Sequence, residues 1–109
     1  MINLQMSMRF VVVGAPDLEA HLDAVADALF DIESQSEFLS DSGAGSTLTT
    51  GFVQIDLTSS GSSYDEALQL GTQSIQRAIA LAGGSSPIGT KAKDSGIEYR
   101  FLEQEVSAA

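Results

Sequence analysis

The amino-acid sequence predicts an α+β fold whose elements follow the order βαββαβ. Two segments carry apolar side chains three and four residues apart, which is the spacing of an amphipathic helix. Segments before, between and after them alternate apolar and polar residues, as strands do, and Gly, Ser and Pro separate the segments. The chain is long enough for one stable core but not for two, so residues 1–109 are predicted to form a single domain.

The first strand and the first helix are predicted from the N-terminal third of the chain. Every second side chain is apolar across Met6–Val13, which predicts a strand. Pro16 and Asp17 suit the first turn and the positive end of a helix dipole, so a helix of about four turns is expected to begin there. Its apolar stripe consists of Leu18, Leu22, Val25, Leu29 and Ile32.

The middle of the chain is predicted to form two strands over residues 37–41 and 46–50, joined by a turn at Ser42–Gly45. β-Branched Thr residues favour the second of these strands. Gly51 is expected to mark a bulge, after which clean alternation prolongs the strand from Phe52 to Thr58.

A loop over residues 59–62 is expected to lead into the second helix. Ser63 and Glu66 have the spacing of a capping box, and the helix is predicted to end at Gly83–Gly84, where a left-handed conformation costs little. After a polar connection, alternation predicts a final strand from Gly96 to Glu105. The apolar stripe of the second helix consists of Tyr64, Leu68, Gly71, Ile75, Ile79 and Ala82.

This order implies a ferredoxin-like fold, in which two helices lie on one face of a four-stranded antiparallel sheet. No helix covers the other face, so we expect its apolar residues to form a homodimer interface, through the face or through the edge of the last strand. These residues are Val11, Val13, Phe52 and Leu102. The residues expected to be buried are Val12, Leu22, Val25, Leu29, Ile55, Leu68, Ile75, Ile79 and Phe101.

One stretch of the sequence resembles a known group of proteins. The segment Tyr64–Leu68, followed by Ile75–Gly84 and by Pro87, is similar to small uncharacterised acidic proteins of actinobacteria and their phages. The resemblance covers the C-terminal half of the chain and consists of a helix that ends in Gly-Gly. It implies the ferredoxin-like topology and supplies no catalytic residue.

The composition restricts the classes of function. Fifteen acidic residues against five basic ones give a net charge of −10, which repels nucleic-acid phosphates and anionic lipids and favours a basic protein partner. The absence of Cys excludes a thiolate nucleophile and Cys-ligated metals, and it fits a reducing compartment. No apolar run is long enough to span a membrane. We therefore expect a cytoplasmic protein that binds neither nucleic acid nor membrane directly.

Acidic residues are concentrated on the predicted first helix. Four carboxylates recur every four residues on its exposed side, and no Lys or Arg between Asp17 and Glu33 relieves their repulsion. They are Glu19, Asp23, Asp27 and Asp31. Carboxylates in a row along a helix do not converge on a point, which argues against a metal site. Two interpretations stay open: a solvated face that confers solubility, or a contact surface for a basic partner.

Residues suited to catalysis are few. His21 is the single His, and its position one turn after Asp17 allows an Asp–His pair, but no Ser lies in a nucleophile-elbow motif that would complete a triad. An ordinary His at the boundary between core and surface is therefore favoured. Gly43–Thr47 resembles a phosphate-binding loop but lacks the Lys of a P-loop, so a hairpin turn is favoured there. We expect no catalytic residue, cofactor or metal.

The favoured function is a non-enzymatic protein-interaction or inhibitor module that presents an acidic surface to a basic partner. Mimicry of a nucleic-acid backbone is one form of this function. The alternative is a small-ligand-binding or regulatory ferredoxin-like domain that uses the open sheet face or a subunit interface. A ferredoxin-like enzyme ranks third, because the sequence lacks the polar clusters that catalysis requires.

Overall fold

The computed structural model of the chain describes residues 1–14, 17–47, 51–82, 84–85 and 97–108. Within these residues the chain forms two helices and five strands. In chain order they are β1 (Ile2–Val13), α1 (Leu18–Ser34), β2 (Leu39–Thr47), β3 (Phe52–Gly61), α2 (Tyr64–Leu81), β4 (Gly84–Ser85) and β5 (Ile97–Ala108). Neither described helix is long and apolar enough to cross a membrane.

The strands form one sheet in the order β2-β3-β1-β5-β4. β1 lies at the centre and pairs antiparallel with β3 and β5, while β2 pairs antiparallel with β3. The four long strands and two helices confirm the predicted ferredoxin-like βαββαβ fold. The prediction missed β4, because Gly84 and Ser85 pair in parallel with the start of β5 instead of forming a helix end and a connection.

The core lies between the helices and one face of the sheet. Alternate residues of β1 are buried there together with residues of both helices, and the two helices contact each other, so both pack on the same face. Most of the residues predicted to be buried are buried, but Leu68 is only partly so. The buried residues of β1 are Leu4, Met6, Met8, Phe10 and Val12.

The prediction that Phe101 is buried is wrong, because its side chain is 40% exposed. The fully buried aromatic residue of β5 is Tyr99, whose ring lies edge-on to that of Phe10 with the centroids 5.3 Å apart. Phe101 also meets the Phe10 ring edge-on at 6.0 Å, so it borders the core instead of lying within it.

A bulge in β5 changes which side chains share a face of the sheet. Phe10 pairs with Phe101, but Arg9 pairs with Glu103, so Leu102 is an extra residue on β5. The alternation of β5 therefore changes phase at Leu102, and Glu103 lies opposite Arg9 on the face away from the helices. A uniform alternation along β5 does not predict this pairing.

The turn predicted at Ser42–Gly45 is wrong. These residues lie within β2, and from Gly43 onward they pair with β3. The register shifts between Ser40 and Gly43, and Asp41 has a φ of 53°, so the polar, Gly-rich segment forms an irregularity in one strand. Gly51, predicted to be a bulge, has a φ of 73° and lies in a turn directly before β3.

Three strands are longer than the sequence predicts. β1 begins at Ile2 instead of Met6, and it pairs along this extension with Ser59, Ser60 and Gly61, which were predicted to be a loop. The last strand was predicted to end at residue 105 but continues through Ala108, which pairs with Leu4. Polar side chains mask these extensions in the sequence, and one of them, Ser59, is fully buried, where its hydroxyl donates to the carbonyl of Ala67 at 2.7 Å.

Some predicted features fall outside the described residues. They are Pro16 at the start of the first helix, residues 48–50 of a predicted strand, Gly83 at the end of the second helix, and residues 86–96 of the polar connection and the start of the last strand.

Side-chain caps begin both helices; the sequence predicts the cap at Ser63, whereas for Asp17 it predicts only a favourable position at the positive end of the helix dipole. The Asp17 carboxylate accepts a hydrogen bond from the amide of Ala20 at 3.0 Å, and the Ser63 hydroxyl accepts one from the amide of Glu66 at 3.2 Å. The Glu66 carboxylate accepts from the hydroxyl of Ser62 at 2.6 Å. These bonds fix where each helix starts, and so which residues of the helix face the core.

The stripe predicted for the second helix is correct in its middle and wrong at its start. Ile75 and Ile79 are fully buried, but Tyr64 points toward solvent. Gly71 is buried against the sheet, where a Cβ would overlap the sulfur of Met6 and lie 3.2 Å from Cβ of Ser59. The absence of a side chain at Gly71 therefore lets α2 approach the sheet closely.

Truncation of either central helix residue should destabilise the fold strongly. Leu29→Ala and Ile75→Ala each remove a buried side chain from the core, which costs about 2–5 kcal/mol of unfolding free energy. Leu81→Ala is the control, because Leu81 is exposed on α2 and its truncation should change stability by less than about 0.5 kcal/mol. Urea denaturation measures all three, and a core variant as stable as the control would contradict the packing described above.

Candidate functional site

The four carboxylates singled out in the sequence lie together on the exposed side of α1. Because α1 buries Leu22, Val25 and Leu29, its opposite side faces solvent, and all four acidic side chains are exposed there. We call this surface the acidic face; it consists of Glu19, Asp23, Asp27 and Asp31. None of these carboxylates forms an ion pair within the described residues.

An exposed aromatic side chain lies within the acidic face. Phe30 follows Asp27 by three residues and Asp23 by seven, so it lies on the same side of α1. Its side chain is 67% exposed, more than that of Phe38, Phe52 or Phe101. Sequence analysis passed over Phe30, although one signal was present: it is a large apolar residue outside the apolar stripe of its helix.

The predicted dimer residues lie on the sheet face away from the helices, which we call the outer sheet face. Val11 on β1 pairs with Phe52 on β3 and with Arg100 on β5, so the apolar side chains span neighbouring strands. Phe52 is 47% exposed and Leu102 is 49% exposed. Val13 lies two residues beyond Val11 and is also exposed. The structure thus brings the four residues to one surface.

Next to this apolar cluster, Arg9 forms a set of polar contacts across three strands. Its guanidinium donates to the side-chain oxygen of Gln54 on β3 at 2.9 Å. On β5 it forms ion pairs with Glu103 and, at 3.3 Å, with Glu105. The hydrogen bond to Glu103, and to a smaller extent the one to Glu105, raises the pKa of Arg9 above its usual value. Arg9 is thereby held in place at the centre of the sheet.

The hydrogen-bonded set continues on the other side of Gln54. The Gln54 amide donates to the Asp56 carboxylate at 3.0 Å, and Asp56 also accepts from the hydroxyl of Ser7 on β1. A shallow open depression of about 510 Å³ lies over these groups. It is lined by Arg9, Gly45, Phe52, Val53, Gln54, Asp56, Leu102 and Glu103. Polar groups on one side and apolar groups on the other make this depression amphipathic.

His21 makes a buried contact that the sequence does not predict. Its Nε2 lies 2.7 Å from the hydroxyl oxygen of Tyr99, and its side chain is 7% exposed. Asp17, the partner considered from the sequence, caps α1 instead. Burial lowers the pKa of His21 below its usual value, while a hydrogen bond to the backbone of Ala82 opposes this shift. The contact between His21 and Tyr99 connects α1 with β5, and the hydrogen bond from His21 to the backbone of Ala82 connects α1 with the end of α2.

Protonation would disturb this contact. In the tautomer that carries its proton on Nδ1, the neutral imidazole accepts a hydrogen bond from the Tyr99 hydroxyl at Nε2, whereas protonation turns that nitrogen into a donor and places a charge among buried groups. Burial also raises the pKa of Tyr99, so its phenol stays neutral. Burial therefore favours the neutral forms of both His21 and Tyr99.

The other sites considered from the sequence gain no support from the fold. The segment considered as a phosphate loop begins with Gly43–Gly45, which pairs with β3 as part of β2. In the parts of the chain that the structure describes, no three or more His, Asp or Glu side chains form a group that could hold a metal ion. The acidic face and the outer sheet face are the two surfaces left as candidate sites.

The stability of the protein should fall as the pH falls below the usual pKa of His. Because the pKa of His21 is lower in the folded state, the unfolded state takes up the proton first, and acidification from about pH 7.5 to about pH 5.5 favours unfolding. His21→Gln retains hydrogen-bonding groups but does not titrate, so the pH dependence in this interval should be weaker. Urea denaturation at several pH values measures this, and identical pH dependence in both proteins would contradict the assignment.

In comparisons with known proteins, no protein-family model and no curated protein matches this chain. The described residues form a ferredoxin-like α+β domain with an acidic helix on one side and an open sheet face on the other.

Proposed function

We propose that this protein is a non-enzymatic protein-interaction or inhibitor module that presents the acidic face to a basic partner. The observation that carries the proposal is the arrangement on α1, where four exposed carboxylates and the exposed ring of Phe30 lie on one side of the helix. A partner that fits this surface has an apolar pocket with Lys or Arg side chains at its rim.

The charges on α1 support an electrostatic role. Side chains of like charge four residues apart destabilise a helix by about 0.2–0.5 kcal/mol per pair, so this pattern lowers the stability of α1. Of the described cations, Arg9 and Arg100 lie on the outer sheet face and Arg77 lies on α2, and none of them forms an ion pair with these carboxylates. A cationic partner would relieve it and would be attracted from a distance, which increases the rate of association.

The exposure of Phe30 favours a binding surface over a surface that only confers solubility. Exposed carboxylates are sufficient for solubility, and a large aromatic side chain in water works against it. Aromatic side chains that enter a pocket of the partner often supply much of the affinity of an interface. The acidic face would thus attract the partner and Phe30 would retain it.

A second candidate function is a small-ligand-binding or regulatory domain. It is favoured by the amphipathic depression of about 510 Å³ on the outer sheet face. Its central polar side chains bind each other, however: Arg9 contacts Gln54 and Glu103, and Gln54 contacts Asp56. A ligand would have to replace these bonds, so we rank this function second.

Charge reversal on α1 should weaken binding without unfolding the protein. Asp23→Lys with Asp27→Lys changes two exposed side chains, so stability should be unchanged or higher as the repulsion is relieved. The variant should associate with a basic partner at least about tenfold more slowly at low salt, and the difference should shrink at high salt. Affinity capture from lysate with each protein as bait identifies the partner, and stopped-flow mixing measures the association rate.

A matched control separates a local contact from an effect of net charge. Two double variants change the net charge by the same amount. One carries Asp23→Asn with Asp27→Asn on α1, and the other carries Gln69→Lys with Gln73→Lys on α2; all four side chains are exposed. The α1 pair should slow association more than the α2 pair. Equal effects, or an association rate that responds neither to charge reversal nor to salt, would leave the acidic face as a solubilising surface.

Truncation of Phe30 should affect a different step of binding. Phe30→Ala removes an exposed side chain, so stability should change by less than about 0.5 kcal/mol. Because the ring carries no charge, association should be nearly unaffected, while dissociation from the captured partner should be at least about tenfold faster. Surface plasmon resonance resolves the two rates, with Leu81→Ala as the control for another exposed apolar residue. Unchanged dissociation would remove Phe30 from the interface.

A further inference from the structure

We propose that the outer sheet face binds a second copy of this chain, and that the protein is a two-fold symmetric dimer with its sheets face to face and its α1 helices on the outside. This proposal goes beyond the proposed function and concerns the opposite side of the molecule, so either can fail without the other.

The apolar cluster on this face has the position expected of an interface centre. Val11 lies on the central strand of the sheet, with Phe52 directly across on β3 and Leu102 on β5. Phe52 and Leu102 are each about half exposed; Phe52 lies on β3, whose other face is buried, and Leu102 lies at the bulge of β5, close in sequence to the buried Tyr99. A sheet that packs on a second sheet buries such side chains between the two layers.

The polar groups beside the cluster can be covered at low cost. Arg9 is bonded to Gln54, Glu103 and Glu105, and Asp56 accepts two hydrogen bonds. Desolvation of a polar group is costly mainly when the group is left without a partner. Because these groups already pair within one subunit, a second copy can cover them without supplying new partners.

The distribution of charge favours this face over the others for contact between identical chains. The chain has a net charge of −10, so two copies repel each other least where cations offset part of the acidic charge. Two of the three described cationic side chains, Arg9 and Arg100, lie on this face together with the carboxylates of Asp56, Glu98, Glu103 and Glu105, whereas the acidic face of α1 carries no cation. Contact through this face also places the two acidic faces at the far ends of the dimer.

The size of the face suits a dimer interface at the small end of the usual range. β1 and β3 have 12 and 10 residues, which at about 3.3 Å per residue make the face roughly 33 Å long. Four strands about 4.8 Å apart make it roughly 15–19 Å wide, or about 500 Å² in projection. The accessible surface exceeds the projected area, so it approaches the roughly 800 Å² per partner of a standard interface.

Pairing through the outer edge of β5 accounts for the structure less well. Phe52 and Val11 lie on β3 and β1, away from that edge, and edge pairing would leave both in water. It would also bring together the acidic side chains of two β5 strands, where Glu103 and Glu105 lie close in sequence. The two arrangements therefore differ in their dependence on Phe52.

Light scattering of Phe52→Lys tests the proposal. Wild-type protein at about 200 µM, where a micromolar interface is saturated, should have twice the chain mass of 11.4 kDa. A dilution series of both proteins should show the dissociation constant of Phe52→Lys raised at least about 100-fold, so that the variant becomes monomeric at concentrations where the wild type is still a dimer, because two charges would be buried in each dimer. Leu81→Lys is the matched control, because Leu81 is exposed on α2, and it should remain a dimer.

Each outcome decides the question. A wild-type monomer at this concentration overturns the proposal, and so does a Phe52→Lys protein whose dissociation constant is as low as that of the wild type, since that result indicates an interface through the β5 edge or the helices. If circular dichroism shows that Phe52→Lys is unfolded, Leu102→Lys takes its place, because Leu102 is about half exposed on another strand of the same face. A folded Leu102→Lys with the dissociation constant of the wild type overturns the proposal in the same way.

Discussion

The arrangement of this protein depends on the alternation of side chains along β1. As the central strand, β1 pairs on both sides, so its side chains have only two directions in which to point. Leu4, Met6, Met8, Phe10 and Val12 point toward the helices and form the centre of the core. The residues between them, including Ser7, Arg9 and Val11, define the outer sheet face. A shift of one residue in the pairing of β1 would exchange the two sets, so the core and the outer sheet face are fixed by the same constraint.

The bulge at Leu102 changes the register between β1 and β5, so the alternation of side chains along β5 is interrupted there. The buried rings of Phe10 and Tyr99 meet on the helix side of the sheet, whereas Arg9 needs acidic partners on the other side. One additional residue in β5 allows both, because it shifts the phase of the strand between Phe101 and Glu103. The same shift leaves Leu102 beside the Arg9 ion pairs, which explains how an apolar cluster and a charged network come to share one surface.

The parts of the fold that could be predicted from the sequence are those with a regular period. The stripe containing Leu22, Val25 and Leu29 was enough to orient α1, and Ser63 was enough to place the start of α2. The irregular parts could not be predicted, because a bulge depends on the partner strand. The Gly-rich segment of β2 has the composition of a turn, but β3 holds it in a strand. Likewise, nothing local connects His21 with Tyr99, which is 78 residues away.

The candidate sites also divide into one that a regular sequence period predicts and one that depends on how the strands pair. The acidic face could be predicted because a single helix with a period of about 3.6 residues determines it. Phe30 could have been found in the same way, as the apolar residue that breaks the pattern of α1. The polar contacts of Arg9 required the register of three strands, and so did the position of Leu102. The two surfaces therefore differ in what supports them: one helix carries the acidic face, while the outer sheet face exists only when the whole sheet has formed.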